Sequence, residues 1–333
     1  MTPKNNFFHL LENKSIDSIP FMPITMMFAA DLIEVPYREY ATNAAIQCRG
    51  QLKVAETFGT THVSAISDPA VEASDLGASV LIPENAPQAI FEDEALLKNK
   101  GRLSTLRIIL PENGRRMANR LKVLESLKKS RGDLIVEGWV EGPCAEAADL
   151  RGINRLMLDF FDDPPFVEAL MDFITAQEIL FAKRQIEAGA DIIGIGDAAS
   201  SLIGPDLYRT IVLPRMKRYV DSIHDSGGLV RLHICGNINP LYPLIAELNV
   251  DMIDLDSMCS ISNARKILGD RPAIAGNIDP VKDLKDGSPE EIKERLQACR
   301  MEAVTKYIIG AGCEVPRGTP FQNLKTMGKF RTA

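Results

Sequence analysis

The chain has no apolar run near the ~18 residues that a membrane-spanning helix requires. It has no long basic tract, and aromatic residues make up only 6%, so nothing in it invites nucleic acid. Acidic side chains (45) outnumber basic ones (38), for a formal charge of −7. The opening Met1-Thr2-Pro3-Lys4-Asn5-Asn6 lacks a signal-peptide pattern. Six cysteines (48, 144, 235, 259, 299, 313) are scattered over 333 residues rather than grouped as a disulfide framework, so a reducing, cytoplasmic setting is expected. No repeat, low-complexity tract or long linker divides the chain, which reads as a single domain over 1–333.

What the sequence does contain is a recurring unit: a short apolar run ending in a polar or small residue, then a helix-like stretch. Eight such runs occur: Phe21 to Met26, His62 to Asp68, Leu134 to Glu141, Asp191 to Asp197, Leu229 to Cys235, Met252 to Asp256, Ala273 to Asn277 and Tyr307 to Cys313. Several are apolar at successive positions, as expected of strands buried on both faces of a parallel sheet. Between them, Phe166 to Ala188 follows Asp163-Pro164-Pro165 and stops at Gly189; Asp206 to Ser226 stops at Gly227-Gly228; and Ser288-Pro289-Glu290-Glu291 carries a capping serine, proline and acidic first turn. The alternation predicts an α/β fold of the (β/α)8 TIM-barrel type. An open doubly wound sheet is the alternative, but no glycine-rich phosphate loop follows the first strand. The stretch from Pro69 to Gly132, between strands two and three, is too long for one crossover. It is expected to carry an inserted hairpin and helix that could roof the barrel mouth.

Two separated segments suggest a metal site: Leu232-His233-Ile234-Cys235-Gly236-Asn237 and Ala311-Gly312-Cys313-Glu314-Val315-Pro316. Residues two apart on an extended strand point the same way, so His233 and Cys235 can meet one ion. Cys313 would complete a His-Cys-Cys set that suits zinc and leaves a fourth position open for chemistry. The competing reading is that both cysteines are ordinary small buried residues. In a barrel, functional groups gather at the C-terminal ends of the strands. Those ends offer Met26, Asp68, Glu141, Asp197, His233 with Cys235, Asp256, Asn277 with Asp279, and Cys313. Turn and cap roles account for the same Asp and Asn residues equally well.

These pieces, with Ala275-Gly276-Asn277-Ile278-Asp279-Pro280, Glu187-Ala188-Gly189-Ala190-Asp191, Thr319-Pro320 and Asn323-Leu324, resemble the uroporphyrinogen decarboxylase superfamily. More narrowly they resemble its zinc-dependent corrinoid methyltransferase branch, which includes coenzyme M methyltransferases and O-demethylase methyltransferases. The resemblance implies a (β/α)8 barrel, zinc on His233, Cys235 and Cys313, and a corrinoid protein as partner. True decarboxylases of the superfamily carry an arginine-rich N-terminal signature. Here the region reads Pro20-Phe21-Met22-Pro23-Ile24-Thr25-Met26-Met27, with no arginine to grip substrate carboxylates. The stretch Glu137-Gly138-Trp139-Val140-Glu141-Gly142-Pro143-Cys144 resembles the O-demethylase type more closely. Asp221-Ser222-Ile223-His224-Asp225-Ser226-Gly227 has the look of a cobalamin-binding loop, but its aspartate would have to stand at position 222, which is serine. Cobalamin is therefore expected on a separate protein.

The expected reaction is transfer of a methyl group from a small methoxylated compound to Co(I), zinc stabilising the charge that develops on the ether oxygen. In the alternative, zinc activates a thiol towards methylcobalamin. Glu141 is the first candidate for a fourth ligand or proton handler, and Asp256 the second. Asp68 and Asp197 are candidates for substrate positioning or for hydrogen bonding the imidazole, and Asn237 and Asn277 for donors at the mouth. A non-catalytic structural zinc protein is the reading from another class; it needs a fourth protein ligand, for which Cys259 stands nearest in sequence. Trp139 is expected in the core, with stacking on substrate or corrin as the other option. His9 and His224 are expected in solvent, and His62 at the strand end away from the site.

Overall fold

The computed structural model describes residues 1–332. Seven parallel strands form one curled sheet: β1 (His62–Ser64), β4 (Ile135–Glu141), β5 (Ile192–Gly196), β6 (Leu229–His233), β7 (Met252–Leu255), β8 (Ala273–Gly276) and β9 (Tyr307–Ile308), neighbours in that order. A separate antiparallel pair, β2 (Val80–Leu81) with β3 (Ala89–Ile90), lies between β1 and β4 in sequence. The first expected strand, Phe21 to Met26, is reduced to one bridge, Phe21 with Ile309. Its backbone still bonds on both sides, Met22 N to Ile309 O and Thr61 N to Phe21 O, so it spans the gap between β9 and β1. Pro20 and Pro23 flank it and supply no N–H, which limits the ladder there. The arrangement is the TIM barrel with its first stave cut short.

The other seven runs become strands at their expected places, but each ladder is shorter than its apolar run. Tyr307 to Cys313 forms a ladder only over Tyr307–Ile308, with single bridges at Ile309 and Ala311, and β6 ends at His233. The helices follow their end signals. Pro164–Glu187 has Asp163 as N-cap and is followed by Gly189 at φ 112°. Pro289–Ala303 begins with a full capping box from Ser288 and Glu291. Asp206 to Ser226 is not one regular helix: Gly204–Leu207 and Leu213–Asp225 are joined through a widened turn at Tyr208–Val212. Pro214 lacks the N–H that a regular ladder would use, which accounts for the irregularity just before it. Among the described residues, no helix is long and apolar enough to cross a membrane.

The barrel is filled in layers. At the N-terminal end, helix Pro3–Leu11 packs Phe7 and Leu10 against Met22, Ile135, Ile192, Met252 and Ile308, sealing the bottom with apolar side chains. Towards the other end, Ile24, Ile66 and Trp139 form a small apolar group. The stretch after β1 carries the expected hairpin, then helix Arg115–Ser130, whose N-terminal N–H groups at Arg115, Arg116 and Met117 are capped by Asp75. The turns after the hairpin rest on the rim, where Leu97 N donates to Leu150 O and Asn154 Nδ2 donates to Glu92.

Candidate metal centre

His233 is the last residue of β6, and Cys235 lies two residues further along the chain as it leaves the sheet. Cys313 is reached five residues after β9, by a segment tied to the loop after β8 through the bridge of Ala311 with Ile278. The three side chains meet. His233 Nε2 is 3.0 Å from Cys235 Sγ, Cys235 Sγ is 3.6 Å from Cys313 Sγ, and Cys313 Sγ is 3.8 Å from His233 Nε2. Ligand-to-zinc lengths of about 2.0 Å for nitrogen and 2.3 Å for sulfur imply edges of roughly 3.6 to 3.8 Å in a tetrahedron. The triangle therefore fits such an ion with small adjustments. Among the described residues this is the one cluster of potential metal ligands, and no carboxylate joins it.

The electrostatics of the triad point the same way. A hydrogen bond shared with Cys235, together with the neighbouring His233, pulls the Cys313 thiol down to about 4 against the cost of burial. Cys235 is driven upward by that same shared bond and by burial. Burial opposes protonation of His233, yet Asp254 and the Cys313 sulfur hold it up at about 10. Such a set keeps a proton wedged between converging lone pairs, and a divalent cation relieves that conflict by replacing protons.

Behind His233 lies a buried ionic layer. Asp254 on β7 is the cross-strand partner of His233, and its Oδ2 is 3.3 Å from His233 Nδ1. Arg231 on β6 grips Asp254 with two bonds, Nε to Oδ2 at 2.7 Å and an Nη to Oδ1 at 3.0 Å. The same guanidinium reaches Glu137 on β4 at 2.8 Å, and Glu137 is 3.7 Å from His62. Burial raises Asp254, but Arg231 and His233 outweigh it and hold the carboxyl below its usual range. Asp254, not Asp68 or Asp197, is thus the group positioned to orient the imidazole. Inward-facing positions two apart within strands (Glu137, Trp139, Glu141; Arg231, His233) carried the signal for this layer.

The remaining candidates are dispersed in role. Asp68 is buried in a bidentate pair with Arg116. Asp197 accepts from Cys144 N, Ala145 N and Ser200 Oγ, capping helix Pro143–Arg151; burial pushes it up to about 6. Asp256 accepts from Gly236 N at 2.9 Å and from Met258 N, and so pins the loop that carries Cys235. Asn277 donates to Asp256 O and Cys259 O, which occupies it in holding loops rather than facing the mouth. Asn237 is exposed and accepts from Asn239. Cys259 donates to Gly236 O and is no part of the triad.

Glu141 ends β4 and accepts from the Trp139 indole at 3.0 Å. Burial, with Glu72 and Asp149 nearby, raises its carboxyl far above the usual range. Trp139 is buried, its ring centroid 6.1 Å from that of His233; it packs against the ligand and does not present a stacking face. Gly194 and Gly196 make room for the indole, since a Cβ at Gly194 would sit 2.1 Å from it. His224 is half-buried against Asp251 rather than solvated. Beside the triad opens a chamber of about 490 Å³, bordered by Cys235, Gly236, Glu141, Asp149, Pro69 and the exposed Leu202. A larger groove of about 1030 Å³ beside helix Ala44–Phe58 contains none of the triad.

The family model for uroporphyrinogen decarboxylase (URO-D) matches residues 2–333, essentially the whole chain. The chain belongs to the URO-D family. Within that family it is 27% identical over 340 residues to the methylcobamide:CoM methyltransferase MtbA of Methanosarcina mazei, covering 98% of this chain and 96% of that protein. It is 23% identical over 333 residues to the methylcobamide:CoM methyltransferase MtaA of Methanosarcina barkeri, covering 98% and 96%. A methyltransferase from Methanosarcina mazei of known structure superposes with a TM-score of 0.90 at 22% identity, covering 99% of this chain and 98% of that one, which supports the full barrel.

Proposed function

We propose that this URO-D family member is a zinc-dependent methyltransferase, working as a single barrel domain. In this reading it moves a methyl group from a small methoxylated compound, such as an aryl methyl ether, to the cobalt of a separate corrinoid protein. The observation that carries this is the convergence of one imidazole nitrogen and two sulfurs at the mouth, three ligands with no fourth among the described residues. A structural zinc site takes all four from protein. Zinc bound there supplies Lewis acidity, either stabilising negative charge on a departing oxygen or lowering the pKa of a thiol.

The chain's own groups have distinct tasks. Asp254 holds Nδ1 of His233 so that Nε2 faces the sulfurs. Asp256 fixes the Cys235 loop. Glu141, kept protonated by burial, can donate a hydrogen bond to an oxygen in the chamber or hand over its proton. Leu202 and Met258, on loops after β5 and β7, are 64% and 65% exposed and offer an apolar rim where a corrinoid protein can seat. Decarboxylation of a porphyrinogen is disfavoured, since neither the segment 20–27 nor the chamber lining supplies an arginine or lysine for its carboxylates.

A second reading, methyl transfer to a thiol, is favoured by the names of the relatives, which are methylcobamide:CoM methyltransferases. The same triad serves both. The test is to incubate the zinc-loaded protein with a Co(I) corrinoid protein and 2-methoxyphenol, following methyl-cobalt formation by absorption and the freed catechol by mass spectrometry. Methyl-cobalt and catechol appearing together support the first reading. Methylated thiol, formed only from methyl-cobalt and an added thiol, supports the second.

A further inference from the structure

The chamber beside Cys235 contains no lysine, arginine or histidine among its lining residues, but does contain two carboxyls, Glu141 and Asp149. The rest of its wall is mostly apolar, with Pro69, Ile153 and Leu202 as its larger side chains. Backbone N–H groups at a helix start are the usual substitute for a cation in binding an anion. Several of those around this site are already taken by the protein's own carboxylates. Asp197 occupies Cys144 N and Ala145 N at the start of helix Pro143–Arg151. Asp256 occupies Gly236 N and Met258 N. Glu314, next to Cys313, occupies Met27 N at 2.8 Å.

We infer that the small-molecule partner of the methyl transfer is neutral or cationic, and that this chamber turns away compounds bearing a sulfonate, phosphate or carboxylate. This rests on the metal-site reading given above and narrows it. An anionic tail entering the chamber would lose its water and gain no counter-charge from the lining, while facing the carboxyl of Asp149. A neutral hydroxyl can bond to Glu141 or Asp149, and an ammonium gains from Asp149 directly. The chamber is therefore poorly matched to coenzyme M, 2-mercaptoethanesulfonate, whose tail is a sulfonate.

Three thiols of equal length test this: 2-mercaptoethanol, cysteamine and 2-mercaptoethanesulfonate, with neutral, cationic and anionic tails. Each is titrated at low salt into the full chain loaded with Co2+, reading the thiolate-to-cobalt absorption and correcting for each thiol's own pKa. The sulfonate is expected to bind about tenfold or more weakly than 2-mercaptoethanol, and cysteamine at least as tightly as the neutral thiol. Leu202→Lys, at an exposed lining position, should strengthen sulfonate binding several-fold, about the effect of one rim charge. Asp149→Asn should remove any preference for cysteamine. Sulfonate binding as tight as, or tighter than, the neutral thiol in the unmodified chain overturns this inference and leaves the metal site standing. A loaded protein whose cobalt spectrum shows no sulfur ligation, or responds to none of the three, overturns the metal-site reading and this inference together.

Discussion

Asp254 Oδ2 lies 3.3 Å from Nδ1 of His233, on the side of the ring away from the two sulfurs. This relationship decides which ring nitrogen meets the metal position. Because Arg231 clamps the same carboxylate, the imidazole is held by a buried ionic layer rather than by a flexible loop. Asp254→Asn keeps the shape and removes the charge. Zinc affinity, measured by competition with a chelating dye, should fall about 10- to 100-fold, the usual effect of losing the partner of a ligating histidine. An unchanged affinity would show that Asp254 does not orient the ring.

The far end of the ionic layer makes a pH prediction. Burial holds His62 down at about 4, well under its ordinary value, despite nearby Glu137. A base whose folded pKa is depressed leaves stability intact above its unfolded pKa near 6.5. Stability is then lost as pH falls from there towards 4, because the unfolded chain takes up a proton that the folded one refuses. The largest loss from this group is about 3 kcal/mol. Urea unfolding of wild type and His62→Asn at pH 7 and pH 4.5 should show the difference between the two proteins shifting in favour of the variant at the lower pH.

Gly194 faces the Trp139 indole, where an added Cβ would stand 2.1 Å from a ring atom. Gly194→Ala should force the ring off its place between Glu141 and His233, costing about 1–3 kcal/mol as in other overpacked cores. Since Trp139 is the single tryptophan, its fluorescence should shift along with a weakened metal site.

Leu202→Asp with Met258→Asp should raise KM for the corrinoid protein by about tenfold or more, charge replacing apolar contact at a docking rim. Zinc content and binding of the uncharged thiol 2-mercaptoethanol should be unchanged, which separates a lost docking surface from a damaged centre.

Much of this was readable in the chain. The eight apolar runs fall where the staves lie, and ending most of them at a polar residue placed Glu141, Asp197, His233 and Asp256 at the C-terminal ends. Period two, with the resemblance, brought His233 and Cys235 together, although Cys235 lies just beyond the ladder. What was missed sits in mid-strand. Glu137, Arg231 and Asp254 read as interruptions of apolar runs, because the lumen of a barrel is assumed dry. Their inward register was the usable sign: Arg231 and Asp254 stand two residues from His233 and Asp256, and Glu137 four from Glu141. Strand ends alone could not tell a group facing the chamber from one tied into a turn. Asp68 and Asn277 therefore looked like site residues and proved to be bonded to Arg116 and to loop carbonyls. The first stave shrank because Pro20 and Pro23 lack N–H groups on either side of Phe21.

The most direct test is zinc analysis with X-ray absorption on the wild type and on His233→Ala, Cys235→Ser and Cys313→Ser. The account predicts about one zinc per chain with two sulfur neighbours at about 2.3 Å and lighter atoms completing the shell, and clear loss of zinc in each variant. Equal metal content in all four proteins, or a shell closed by further sulfur, would contradict it.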